Sequence, residues 1–402
     1  MRAARRYLHS VASRTLPVPL RIVHARRRLG ARSAWLALAI WVALIVVAVV
    51  WGEHVVAVGD RLRIHAPPLA GDYRTRAGLV LALPISLAVA VAVLGPSVAR
   101  RLSFGRLLVI AMAVSVVWAI ALGLNDGWRG LTDPLLPGQY LRTVPRVGDP
   151  VTFLRTFTDR IADYNIHTQG HPPGMVLVLW VLDRIGLGGT GPNLALVLAG
   201  GGASVAAVLV AVRDVVGAAA ARAAAPFLAL APAAIWWNSG DAFFAGVSAW
   251  AVTLVVLATS RSGRTADRLA LGGGALLGIT AMLSYGLVLL AAVPAVVAVS
   301  RRRLRPLVLA AAAGALVLVA FLPAGFWWVD GFFATRARYW AGVASRRPYA
   351  YFLLGNLAAF ALALGPAVAV ALAWLRDRAA WLLVGGGLTV VALADLSGMS
   401  KA

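Results

Sequence analysis

The chain of 402 residues contains no cysteine, a single lysine and few acids. Without cysteine it has no disulfide framework, no thiolate nucleophile and no Cys-ligated metal. Asp and Glu number 15 against 38 basic residues, and every basic residue except Lys401 is Arg. The formal net charge is therefore +23. Such a charge is compatible with nucleic acid binding or with a membrane surface, and the distribution of Arg along the chain distinguishes the two.

The chain is instead rich in apolar residues. They make up 61% of the chain, with a mean hydropathy of +0.82, whereas a soluble chain is usually about 45–50% apolar. This excess is spread over many runs, which predicts an all-α polytopic membrane protein of about 11 transmembrane helices. The predicted spans are 34–51, 77–98, 107–124, 193–212, 223–236, 242–259, 269–284, 286–299, 307–325, 353–375 and 379–394.

Arg collects in the short loops between these runs, as in cytoplasmic loops of membrane proteins, so we expect no nucleic acid partner. Residues 1–33 carry nine Arg and are expected to form a basic cytoplasmic tail on anionic membrane lipids. The transmembrane domain then covers 34–402. The later Arg loops are on the cytoplasmic side, with the N-terminal tail, only if 172–187 does not cross the membrane. That segment is therefore predicted to be an external helix that begins at Pro172 and Pro173.

Two long loops, 125–192 and 325–352, are predicted to lie outside the plasma membrane. The first contains Asp126, directly after the third span, and Asp133 seven residues later. A carboxylate at this level can act as general base for a membrane-embedded substrate, so both are catalytic candidates. Either could equally be a solvated loop acid or a helix cap.

The same loop contains "DYNIHTQGHPPGMVLVLW", with His167 and His171 four residues apart. This spacing suits a metal pair on a helix, but Pro172 disfavours helix at His171, and no further His or Cys nearby completes a site. Hydrogen bonding to a phosphate at the start of the 172–187 helix is the favoured role.

The second outer loop interleaves Arg with aromatic residues. Arg binds phosphate oxygens through its planar fork, so we take these Arg as donor-phosphate candidates; contact with lipid headgroups alone is the alternative. They are Arg336, Arg338, Arg346 and Arg347. Asp241, in the turn "WWNSGDAFF", is expected to be either a helix N-cap or a group that orients a substrate sugar. Tyr285, at a break between two apolar runs, is a second substrate-orienting candidate.

The chain resembles the GT-C superfamily of membrane glycosyltransferases in three successive features. An acid follows an early span, a long outer loop comes next, and His-Pro-Pro-Gly stands at 171–174. The segments "WWNSGDAFF" and "RARYWAGVASRRPYAYFLLGNLAAFALALGP" look like an actinobacterial branch of this superfamily, and the resemblance covers roughly 107–402. Here the acidic loop follows the third span rather than the first, and Gln139 stands where closer relatives have an acid. The chain also stops at "ADLSGMSKA", where members of this branch typically continue, which predicts a C-terminally truncated copy.

The resemblance implies transfer of a sugar from a polyprenyl-phosphate donor to a cell-envelope glycan or lipid acceptor. Asp126 or Asp133 would be the base, no organic cofactor is expected, and a divalent cation beside the acids is compatible with this chemistry. Two other classes stay open at this point. One is a transporter or flippase for a lipid-linked saccharide, for which "LGGGALLG" would provide hinges. The other is an inactive membrane partner.

Overall fold

The computed structural model describes residues 20–59, 62, 69, 78–136 and 139–401. In these residues all regular secondary structure is helical, which confirms the predicted all-α class. Most of the basic tail predicted for 1–33 lies outside the described residues, so its contact with lipid stays a prediction. The described N-terminal helix runs without a break from Leu20 into the first apolar segment.

The α-helices form two groups, one in the helix bundle and one in the two outer loops. The bundle helices are α1 (Leu20–Ala57), α2 (Ala82–Arg101), α3 (Phe104–Gly123), α8 (Thr190–Val215), α9 (Ala218–Ala229), α10 (Gly240–Thr259), α11 (Gly263–Leu283), α12 (Ala292–Ser300), α13 (Arg305–Val319), α15 (Tyr349–Leu364), α16 (Pro366–Trp374) and α17 (Arg378–Leu396). The loop helices are α4 (Gly127–Thr132), α5 (Pro150–Thr156), α6 (Ile166–Gly170), α7 (Gly174–Arg184) and α14 (Trp328–Ala341).

The number of spans is smaller than the sequence predicted. In the described part of the chain eight helices are long and apolar enough to cross a membrane, or nine if α15 and α16 form one bent span. The protein is thus a multi-pass membrane protein, but the prediction of about 11 spans is wrong. The two surplus spans, 223–236 and 286–299, correspond to short helices at Ala218–Ala229 and Tyr285–Ser300.

Backbone chemistry explains why hydropathy overcounts. Helix α9 has 12 residues and is therefore about 18 Å long, against about 30 Å of bilayer core. It ends before Pro232, which begins a separate 3-10 turn to Trp236. The run at 353–375 breaks at Gly365, whose φ of +80° suits only glycine, and Pro366 starts α16 at 92° to α15. An apolar run does not reveal such breaks.

The Arg-rich turns lie together at one end of the helices, which we call the basic face. The buried carboxylate of Asp214, at the end of α8, accepts from Arg301 Nη1 at 2.9 Å and from Arg261 Nη1 at 3.2 Å. Arg222 donates to the carbonyl of Leu102 at 2.8 Å, and the Arg213 guanidinium stacks 4.4 Å from the Phe104 ring. The turns after α2, α8, α10 and α12 are therefore on one side, as the charge pattern predicted.

Helix α7 does not cross to that side. Gly174, its first residue, packs against the carbonyl of Met282 at the end of α11. At its other end Arg184 donates to the Gly148 carbonyl at 3.5 Å, in the first outer loop. Both ends of α7 therefore lie on the loop face, opposite the basic face. The prolines precede the helix, with Pro173 as its N-cap, rather than occupying its first turn as predicted.

Small residues bring the central helices into close contact. A Cβ atom on Gly200 of α8 would lie 2.5 Å from Phe243 Cα on α10. On α11, Gly274 faces the backbone of Ala310 of α13 in the same way, and Gly278 faces Gly314. Such contacts are typical of helix packing in membranes. The glycines of "LGGGALLG" thus lie in an unbroken helix, and all of them except the exposed Gly272 lie at helix interfaces.

Candidate functional site

The short helix α6 is fixed by a polar network that also holds the turn at 139–143. Asn165 caps it, because its Oδ1 accepts from Thr168 N at 3.1 Å. The Nδ2 of Asn165 donates to the Gln139 carbonyl at 3.0 Å and to Thr143 Oγ1 at 2.8 Å. Thr143 and Thr168 are both buried and share a 3.0 Å hydrogen bond. Because buried hydroxyls need partners, this network sets the position of His167 on α6.

His171 lies just past α6 and is oriented by the backbone of that helix. Its φ and ψ of −134° and 159° are extended, as the following Pro172 requires. Its Nδ1 donates to the His167 carbonyl at 2.9 Å. A carbonyl only accepts, so Nδ1 must carry the proton. In the neutral ring Nε2 is then unprotonated and can accept a hydrogen bond or take up a proton.

Both histidines belong to one group of interacting side chains, which we call the histidine cluster: His167, His171, Tyr140, Phe244 and Asp241. The rings of His171 and Tyr140 have centroids 5.7 Å apart, and those of His171 and Phe244 lie 5.8 Å apart. Gly240 brings α10 against the Tyr140 ring, since a Cβ there would lie 2.9 Å from Tyr140 Cε2. The cluster thus joins the first outer loop to the start of α10.

Burial and one carboxylate determine the electrostatics of this cluster. Burial lowers the pKa of His171 below its usual value, although the Asp241 carboxylate and the hydrogen bond to His167 oppose the shift. Burial and the neighbouring His171 also lower the pKa of His167. Burial, and then the negative charge of Asp241, raise the pKa of Tyr140. Near neutral pH both rings are therefore uncharged, and Tyr140 keeps its hydroxyl proton.

The structure places Asp241 in the first turn of α10, where Ser239 is the N-cap residue. The expectation that Asp241 is the N-cap is therefore wrong. Its Oδ2 instead accepts from Ser239 Oγ at 3.3 Å. An acid in the first turn interacts favourably with the helix dipole. Asp241 is exposed, so the carboxylate next to the histidines is also accessible.

The two acids predicted as catalytic bases lie in different surroundings. Asp126 is exposed and directly precedes α4. Helix α4 contacts the turn before α10, because Asn238 Nδ2 donates to the Gly130 carbonyl at 2.7 Å. Asp133 instead pairs with Arg129 at 3.2 Å, with side chains 47% and 86% exposed. Exposed pairs of this kind contribute little stability.

The four Arg of the second outer loop do not form one group. Arg338 of α14 donates through Nε and Nη2 to Gln169 Oε1 at 3.3 and 3.2 Å, which places it beside α6. Arg336 and Arg346 are exposed. Arg347 is buried, and its guanidinium contacts the Lys401 carbonyl and the Phe352 ring. Of the four, Arg338 is thus tied directly to the helix that carries His167.

Tyr285 is buried between the end of α11 and α14. Its ring lies 5.2 Å from that of Trp328 and 5.8 Å from that of Phe332, and its hydroxyl approaches Gly331. These contacts hold α14 against the spans. The structure therefore shows a packing position for Tyr285, and its role toward a substrate stays a prediction.

Among the described residues no group of three or more His, Asp or Glu side chains is arranged to hold a metal ion. The divalent cation that the resemblance allows stays a prediction. The site also contains Tyr140, which the sequence did not single out, and Gln139, which the sequence marked only as a departure from closer relatives. The Gln139 amide nitrogen donates to His167 Nε2 at 3.3 Å. The contacts of these two residues with the histidines join positions about 27 to 31 residues apart, for which the sequence has no local signal.

Comparison with known proteins adds no further assignment. No protein-family model matches this chain, and neither a curated protein nor a solved structure proves similar to it.

Proposed function

We propose that this protein is a membrane glycosyltransferase that moves a sugar from a polyprenyl-phosphate donor to an acceptor hydroxyl on the outer face of the plasma membrane. The basic face, with the N-terminus, would then be cytoplasmic. The observation that carries the proposal is the histidine cluster. There the His-Pro-Pro-Gly motif, which resembles that of the GT-C superfamily, brings a neutral imidazole beside the Asp241 carboxylate at the membrane edge.

In this reaction the acceptor oxygen attacks the anomeric carbon with inversion while the bond from that carbon to the phosphate oxygen breaks. The acceptor proton needs a base. His171 Nε2 is suited to that role because Nδ1 is already held by the His167 carbonyl. Asp241 stabilises the imidazolium that results, since its charge acts on this ring. Asp126, before α4, is the other candidate base.

The leaving polyprenyl phosphate develops negative charge that must be stabilised. Arg338 is the predicted phosphate ligand nearest α6, and Gln169 Oε1 orients its guanidinium. Exposed Arg336 on the same helix adds positive charge. A neutral His171 offers an acceptor on Nε2, so hydrogen-bond donation to phosphate by that ring would require its protonated form. This favours Arg over His171 as the phosphate ligand.

A transporter of lipid-linked saccharides is the alternative, and one observation bears on it. Three of the four glycines expected as hinges instead pack against backbone of neighbouring helices, as Gly274 does against Ala310. Close packing of this kind favours a rigid frame around a site on the loop face.

The test is sugar transfer in proteoliposomes that contain the full chain and a labelled polyprenyl-phosphate sugar. We expect His171→Gln and Asp241→Asn each to lower the rate by about 100-fold or more, the usual contribution of a positioned proton acceptor. Asp159→Asn is the matched control, because Asp159 is an exposed acid of the same loop. Thermal unfolding of each variant separates lost chemistry from lost folding.

Full activity of folded His171→Gln and Asp241→Asn would contradict these site assignments. If the rate instead fell only with Asp126→Asn, the base would be Asp126. Movement of the labelled donor across the bilayer without transfer would favour a transporter, and neither transfer nor movement would favour a non-catalytic partner.

A further inference from the structure

The basic face contains a cavity that the proposed reaction does not use. It has a volume of about 360 Å³ and lies between the turn that joins α10 to α11 and the turn that joins α12 to α13. Its charged lining residues are four Arg and one Asp, which gives it a formal charge of +3: Arg261, Arg302, Arg303, Arg305 and Asp267. Because these Arg side chains border one cavity, several of them can contact the same ligand, which Arg side chains spread over a surface cannot do.

Two of these Arg are already tied to acids. Arg261 pairs with the buried Asp214 carboxylate at 3.2 Å. Arg305 donates through Nε and Nη2 to the two oxygens of Asp267, at 3.0 Å each. In the described ranges neither Arg302 nor Arg303 forms an ion pair, and both are exposed. Arg303 Nη2 donates to the Arg261 carbonyl at 3.3 Å, which holds this side chain at the cavity. The two paired Arg and this bond fix the lining, and the exposed Arg302 and the remaining N–H groups of Arg303 can contact an anion.

The backbone adds to this positive potential. Helices α11 and α13 both begin at the cavity, at Gly263 and Arg305, and helix N-termini attract anions. Arg302 has a φ of +54°, a region that residues other than glycine seldom occupy. Residues held in such conformations concentrate at ligand sites. The turn thus holds the Arg302 guanidinium at the cavity although the backbone conformation of Arg302 is unfavourable.

The surroundings indicate where the anion comes from. Leu304 lines the cavity and is 55% exposed. Val299 and Val308, close by on α12 and α13, are 62% and 66% exposed, so an apolar surface adjoins the cavity. An anion with an acyl chain can place that chain along this apolar border, whereas free phosphate gains nothing from it. Basic pockets between transmembrane helices commonly bind anionic headgroups.

We propose that this cavity binds the phosphate of an anionic phospholipid from the leaflet beside the basic face. Arg302 and Arg303 contact the phosphate oxygens, while the chain lies against Leu304 and the lipid-facing surface. The site is separate from the histidine cluster on the loop face and does not depend on the proposed sugar transfer.

The experiment is native mass spectrometry of the full chain in detergent, titrated with phosphatidylglycerol or with phosphatidylcholine. We expect the wild-type protein to retain phosphatidylglycerol preferentially. Each surface Arg contributes about fivefold to the affinity for an anionic membrane, so R302Q/R303Q should bind phosphatidylglycerol about 30-fold more weakly. R100Q/R101Q is the matched control, because it removes two exposed Arg from the same face but outside the cavity.

Equal retention of the two lipids by the wild-type protein would overturn the proposal. So would an equal loss in both double variants, which would indicate general headgroup attraction to the basic face. Inorganic phosphate is the third probe. If it displaced the lipid at millimolar concentration, the cavity would be a site for free phosphate instead. The substituted side chains are exposed, and unchanged thermal unfolding of both variants would verify that folding is intact.

Discussion

Two neighbouring glycines of "LGGGALLG" should respond in opposite ways to the same substitution. At Gly274 a Cβ atom would lie 2.5 Å from Ala310 Cα on α13 and even closer to the carbonyl oxygen of that residue. At Gly272 the nearest atom to a new Cβ is Leu254 Cδ1, at 4.0 Å, which is ordinary van der Waals contact. We therefore expect Gly274→Ala to destabilise the protein and Gly272→Ala to be tolerated.

The size of the effect follows from these distances. Carbon atoms in contact lie about 3.5–4.0 Å apart, so α11 and α13 must separate by about 1 Å to admit a methyl group at Gly274. The neighbouring atoms are backbone and cannot rotate away, so the cost should reach the upper end of the overpacking range, about 3 kcal/mol. Replacing Gly by Ala within a helix returns about 1 kcal/mol. The net change is about 2 kcal/mol of destabilisation for Gly274→Ala and about 1 kcal/mol of stabilisation for Gly272→Ala.

The assay is reversible unfolding of the purified protein in bicelles by steric trapping, with both variants measured beside the wild-type protein. A difference of about 3 kcal/mol between the two free energies of unfolding is expected. If the two variants agreed within about 0.5 kcal/mol, the close approach of α11 to α13 would be refuted. If both variants lost function while their free energy of unfolding stayed unchanged, the result would favour the alternative in which these glycines act as hinges of a transporter.

Two further predictions concern charged groups. Asp214→Ala should lower the free energy of unfolding by about 3 kcal/mol, because it leaves two guanidinium groups without their buried partner. Asp267→Ala, in a more exposed pair, should have much less effect, and similar losses in the two variants would contradict this. Because burial lowers the folded pKa of His171, the unfolded chain binds more protons below pH 6.5, so stability should fall as pH drops from 7 toward the lowered pKa. His171→Gln should weaken this dependence in thermal unfolding at pH 7 and 5.

Charge and hydropathy were sufficient for the fold class and for the side of the helix bundle on which the Arg loops lie. The excess of apolar residues predicted a polytopic helical membrane protein, and the Arg loops predicted that one end of the helices is basic. The contacts of Asp214 and Arg222 confirm that these loops meet. The same pattern predicted that α7 does not cross to the basic face, and both ends of α7 lie on the loop face. These predictions succeed because the energetic cost of burying charge in lipid depends on the residue type and applies to every span.

The count of spans and the grouping of the site residues needed the structure. Breaks at Pro232 and Gly365 come from backbone geometry that hydropathy does not register. The sequence grouped Arg347 with Arg338, although the fold buries one and ties the other to α6. The separation of two residues along the chain does not determine the distance between their side chains, because the loops fold back on one another.

The sequence by itself determined that the chain is a helical membrane protein with one basic face and two long loops, because hydrophobic and electrostatic costs act on each segment separately. It also singled out His171 and Asp241. Only the tertiary structure decided that these two lie together, beside Tyr140 and Phe244, since that contact joins a loop to a helix about 70 positions later. Tertiary burial also determined that His171 is neutral, because a pKa depends on the surrounding solvent and charges rather than on neighbours in sequence.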